Sequence, residues 1–238
     1  MLRRMWVFPF AAGVVALVFA GLLVRGFVLR RRPFQAVWAI ALLMYATASF
    51  ALFLGVLDGW TETEFRVYWL FGAVLNVPWL FLGEVYLLAK RRWIADALLV
   101  VMLFLTAYAV AQVRGATVAD ASVLSKDLPL GKEVFGAGSQ PHRLAQYYAY
   151  PAYLLLVAAC VWSAWGMRGR PELRDRFMGT LLVAIGATIV AIGSGVGAGL
   201  DVVPLFSISL LAGIAVMFCG FLRASRSGPR PETASSTP

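Results

Sequence analysis

The chain has 238 residues, of which 61% are hydrophobic and 14% charged. Soluble domains are usually about 45–50% apolar, so this composition excludes an ordinary globular or disordered protein. The formal net charge of +9 does not indicate nucleic acid, because the basic residues are split among short connections. In an apolar chain that pattern reads as membrane topology and attraction to anionic headgroups.

A helix needs about 20 apolar residues to cross roughly 30 Å of hydrocarbon. The runs that qualify are 6–24, 34–57, 67–89, 93–113, 144–167, 177–200 and 203–222. They predict an all-α polytopic membrane protein, a seven-transmembrane-helix bundle occupying residues 1–222. The first run follows Arg3 and Arg4 as a signal peptide would. Its length, and Arg25 and Arg30–Arg32 where a cleavage site would stand, predict an uncleaved span.

Basic residues then recur on alternate connections: Arg25 and Arg30–Arg32, Lys90–Arg92, Arg168, Arg170, Arg174 and Arg176, and finally Arg223, Arg226 and Arg230. The intervening connections hold the acidic stretch Asp58–Glu64, the long segment 114–143 and a turn at Asp201. Only Arg3 and Arg4 oppose the orientation this implies. Lys and Arg mark the cytoplasmic side, so N-out, C-in is expected, in a bacterial-type plasma membrane. Trp6, Trp60, Tyr68, Trp69, Tyr147, Tyr148 and Tyr150 would belong to an outer aromatic belt, and Trp93, Trp162 and Trp165 to an inner one.

The third span contains the most unusual residues. Trp69, Gly72, Asn76, Trp79 and Gly83 are spaced to share one helical face. Pro78 removes a backbone donor one turn beyond Val74, and Asn76 stands beside that gap. Glu84 lies two turns further along. A carboxylate in hydrocarbon costs a few kcal/mol on insertion scales and is a functional candidate by default. The competing reading pairs it with Lys90, Arg91 or Arg92 at the membrane boundary. Trp69, Asn76, Trp79 and Glu84 are therefore the candidate ligand-binding or functional residues. Asp96, at the start of the fourth span, reaches the inner interface.

The outer segment 114–143 should fold over the mouth of the bundle, and a short helix is expected within it. In the sixth span Ala187, Ala191, Gly195 and Gly199 recur every four residues. They predict a helix-packing face, since small residues let backbones approach closely in lipid. Residues 223–238, rich in Ser, Pro and Thr, are expected to be a disordered cytoplasmic tail.

Several chemistries lack their residues. The seventh span has no lysine for a retinal Schiff base. His142 is the single histidine, too few for a zinc set or for bis-His haem. It is also the only base available to a Ser-His-Asp arrangement. Cys160 and Cys219 both lie inside apolar runs, so no disulfide framework is indicated. No catalytic residue, metal ligand or cofactor is assigned.

From Arg32 to Tyr86 the chain has Trp38 early in the second span, a short polar loop, and the entry F-R-x-Y-W-x-F-G over Phe65–Gly72. A central Pro78 and a terminal Tyr86 follow. This stretch resembles the seven-helix sensory regions found N-terminal to some bacterial histidine kinases. With no output domain after Leu222, the resemblance implies a detached sensing or partner-binding module. The expectation is a non-enzymatic, sensor-like or accessory membrane protein. Its partners would be the lipid bilayer and a small apolar ligand or another membrane protein. One alternative is a small-molecule or lipid transporter using Asn76, Glu84 and the glycine-rich sixth span. The other is an intramembrane lipid-modifying enzyme with Glu84 as base.

Overall fold

A computed structural model describes residues 6–199 and 202–225. Arg3, Arg4, Asp201 and the tail 226–238 lie outside them, as does the burial of Gly199. Among the described residues all regular structure is helical. Seven helices are long and apolar enough to cross a membrane, the pattern of a multi-pass membrane protein. We label them α1 (Val7–Arg30), α2 (Pro33–Asp58), α3 (Glu62–Leu88), α4 (Arg92–Gly115), α5 (Gln140–Met167), α6 (Arg174–Gly199) and α7 (Val203–Ser225).

Local chemistry explains most of the boundaries. Helix α1 stops at Arg31, which takes a left-handed conformation (φ 53°) while its N–H bonds Phe27 O at 2.7 Å. Pro33 then opens α2, its fixed φ suited to a first helical position. Gly59, at φ 89°, ends α2. Thr61 starts α3 with reciprocal bonds: its hydroxyl accepts from the Glu64 N–H at 3.2 Å, and its own N–H donates to Glu64 Oε2 at 2.9 Å. That cap lengthens α3 by five residues over the apolar run beginning at Val67, which hydropathy alone does not reach. Ser139 similarly caps α5, extending it from the expected Leu144 back to Gln140.

The helices α1, α2, α3, α5, α6 and α7 form a closed ring, since α7 returns to pack on α1. Helix α4 lies outside the ring against α3 and α5. Burial follows this arrangement: 56% of the most apolar stretch of α3 is buried, against 17% for α4. The outward faces carry exposed Val100, Phe104, Leu154 and Trp162, as expected of surfaces solvated by lipid rather than water. The ring centre is filled by Phe19, Leu42, Leu52, Leu82, Leu156 and Ile214.

Helices α6 and α7 are the most closely packed pair. Glycines spaced by seven residues make the contact: a Cβ on Gly179 would meet Gly220 O at 2.5 Å, and one on Gly186 would meet Gly213 O at 2.5 Å. Gly193 sits against Ser209, and Gly213 in turn against Val190. This differs from the expected face. Ala187 is buried and Ala191 half-buried, but Gly195 is exposed, with open space where a Cβ would stand. A seven-residue period drifts by only about 20° per repeat and so follows the seam of a left-handed crossing, whereas a four-residue stripe drifts faster around the helix and leaves it.

Candidate functional site

Helix α3 positions the candidates, and it is not a uniform α-helix. Between Trp69 and Leu75 its bonds run to the fifth residue along, a π-helical stretch followed by Asn76–Leu88 as α-helix. Pro78, which cannot donate to Val74, stands directly after the widened turns. The π-helical geometry alters the register between the two halves of α3. The four candidates therefore address different neighbours instead of one shared face.

Trp69 points to the loop-covered end. Its indole N–H donates to Pro141 O at 3.0 Å, and its ring lies 6.2 Å from His142 and 6.2 Å from Phe135, centroid to centroid. Gly131 packs so closely on this ring that a side chain there would collide with it. Asn76 turns to α2, where its amide donates to Ala41 O at 2.8 Å. Gly72 and Gly83 meet the same helix, at Ala48 and Trp38. Trp79 turns the other way, and its N–H donates to Thr106 Oγ1 of α4 at 3.1 Å. Thr106 hands the bond on to Met102 O at 2.7 Å.

Glu84 is 1% exposed, and its Oε1 has no hydrogen-bond partner among the described residues. None of Lys90, Arg91 or Arg92 pairs with it. Arg92 instead faces Asp96 at 3.8 Å, and Tyr86 donates to the same carboxylate at 2.8 Å. Cys160 of α5 is likewise buried. One turn from both, Leu80 and Leu156 help line a central cavity with Phe19, Trp38, Leu42, Val183 and Met217. It offers about 10 Å³, at the limit for a single water, and its walls are apolar. Among the described residues Glu84 has no ion-pair partner, and the cavity one turn away has apolar walls.

The loop-covered end is built differently. Residues between α4 and α5 form a short 3₁₀ helix, Ala121–Ser125, and a single helical turn, Gly131–Val134. Asp120 caps the first, and the Ser122 hydroxyl and N–H that donate to it hold its carboxyl below the usual carboxylate range. Leu124, Leu128, Val134 and Phe135 are buried and continuous with the bundle core. Trp60 lies beneath them, its N–H donating to Asp127 O at 3.2 Å. Trp60 and Trp69 thus belong to an aromatic cluster with Phe65, Tyr68 and Phe135. Trp93, Trp162 and Trp165 are exposed at the opposite, basic end.

Arg66, which stands out in the sequence only as the R of the F-R-x-Y-W-x-F-G entry, ties this end together. Its guanidinium donates to Val113 O at 2.5 Å and Ala116 O at 2.8 Å, pairs with Glu62 at 3.4 Å, and lies 5.8 Å from the Phe135 ring. It therefore satisfies carbonyls at the end of α4 that have no intrahelical partner. Beside it opens a cleft of about 320 Å³, walled by Gln112, Gly115, Ala116 and Thr117 on one side and by Phe135, Ser139, Gln140 and Pro141 on the other.

Among the described residues no three of His, Cys, Asp and Glu stand close enough together to hold a metal ion. In comparisons with known proteins, the chain matches no family model, no curated protein and no solved structure.

Proposed function

We propose that this chain is a sensor-like, non-enzymatic module of the plasma membrane, oriented N-out and C-in, which takes a small ligand at its loop-covered end. The observation that carries the reading is the contrast between the two cavities. The cavity at the ring centre offers only about 10 Å³, while a cleft of about 320 Å³ lies open between the end of α4 and the start of α5. Ligand pockets start near 300 Å³. Trp69 gives a bound molecule a direct connection to α3, because the carbonyl it bonds belongs to Pro141 of the cleft wall.

Native mass spectrometry of the full chain in nanodiscs should show a retained small molecule, lost from Ser139→Trp, which fills the cleft. Gradient-driven uptake into proteoliposomes that survives Ser139→Trp would overturn the reading in favour of transport. That second reading has one observation behind it, the unpartnered oxygen of Glu84 inside the bundle. Under it, Glu84→Gln would abolish uptake.

A further inference from the structure

The cleft at the loop-covered end has walls of a particular chemistry. No charged side chain lines it. The Arg66 guanidinium, which bonds the Ala116 carbonyl of the cleft wall, is already committed to Val113 O, Ala116 O and Glu62. An ionic ligand would find no counter-charge among the lining residues. The polar groups that do line it are amides and hydroxyls. The side chains of Gln112, Thr117 and Gln140 make no hydrogen bond to any described residue, whereas Ser139 is occupied, donating to Gly136 O at 2.8 Å and accepting from His142 N–H at 3.4 Å. Gln112 is half-buried and Thr117 and Gln140 are exposed, so all three can turn towards a guest.

An amide offers two donors and an acceptor, and a threonine hydroxyl both donates and accepts. Such arms on opposing walls match a molecule whose own groups also do both, which is the property of hydroxyls. Between the arms, Ala111, Ala116, Phe135 and Pro141 give an apolar strip that can cover C–H surface. Resting on the reading of this cleft as the ligand site, we propose that it binds a small uncharged polyhydroxylated molecule of about the size of a single sugar ring, held between Gln112 and Thr117 on one wall and Gln140 on the other.

Three probes of matched ring size separate charge from shape: glucose, glucuronate and glucosamine. Saturation-transfer NMR on the full chain in nanodiscs, with protein-free nanodiscs as the blank, should show transfer to glucose and little to either charged ring. In Q112A/Q140A, whose side chains hold nothing else in place, glucose affinity should fall about tenfold or more while the thermal midpoint stays unchanged. If a charged ring binds as well as glucose and loses its signal in the variant, the ligand class is wrong and the site stands. If no probe gives a signal sensitive to the variant, the inference falls. A molecule retained in native mass spectra and displaced by Ser139→Trp would then still uphold the cleft as a site.

Discussion

Glu84 is the residue at which the bundle sacrifices stability. A buried polar atom left unpaired costs about 1–3 kcal/mol, and its Oε1 has no partner among the described residues. Glu84→Met, apolar and similar in length, should raise the thermal unfolding midpoint in detergent by an amount equivalent to about 1–2 kcal/mol. An unchanged or lowered midpoint would mean that an internal water or ion satisfies the carboxyl. Asn76 behaves oppositely, because its amide bonds Ala41 O. Asn76→Ala should cost about 0.6 kcal/mol and no more than about 1.7, the span found for polar bonds between membrane helices, read by the same melt. Both residues were legible in the sequence, since a polar side chain amid hydrocarbon stands out. Their partners were not. Asn76 and Tyr45 bond the carbonyls of Ala41 and Leu210, and every residue carries a carbonyl, so the acceptor leaves no trace in the residue type.

Among the elements, α6 and α7 supply the sharpest contrast. Gly186→Leu should unfold or strongly destabilise the bundle, because a Cβ alone would stand 2.5 Å from Gly213 O. Gly195→Ala meets open space and should be neutral or stabilising by up to about 1 kcal/mol, as for a glycine replaced within a helix. Comparable losses in both variants would sink the seven-residue seam. The glycine content of α6 announced close packing. Which glycines touch depended on the crossing of two helices, and a single helix read alone holds no record of it. At the other end, Arg66→Ala removes the bonds to Val113 O and Ala116 O. Amide hydrogen exchange across 116–139 should then quicken while exchange in α6 and α7 stays as before. Equal quickening everywhere would mean that Arg66 supports the whole bundle and not the covering segment.

At the scale of the whole molecule, seven spans were readable because lipid leaves backbone groups no partner outside the helix, so each crossing must be a long apolar helix. The ring closure of α1 on α7 and the position of α4 outside it were not readable, because apolar faces towards lipid and towards protein have the same composition. The packing of Trp60 and Trp69 was not readable for a similar reason: a tryptophan near a helix end suits the headgroup region and a buried cluster equally well. Orientation can be tested directly. Reporter fusions after Arg92 and after Arg176 should report cytoplasm, and a fusion near Lys126 the outside. The opposite result at two of these three sites would reverse the assignment.

The π-helical turns of Trp69–Leu75 make α3 a helix with slack. A π turn holds surplus chain relative to an α turn. One residue of surplus corresponds to about 100° of rotation and 1.5 Å of rise. Were that surplus to be taken up as ordinary α-helix, the Trp69 end would swing relative to the Asn76 end by about that angle. The indole would leave Pro141 O, while Asn76 could keep Ala41 and Gly83 keep Trp38. The helix would thus act as a swivel, with its half at the cleft turning over a lower half clamped to α2.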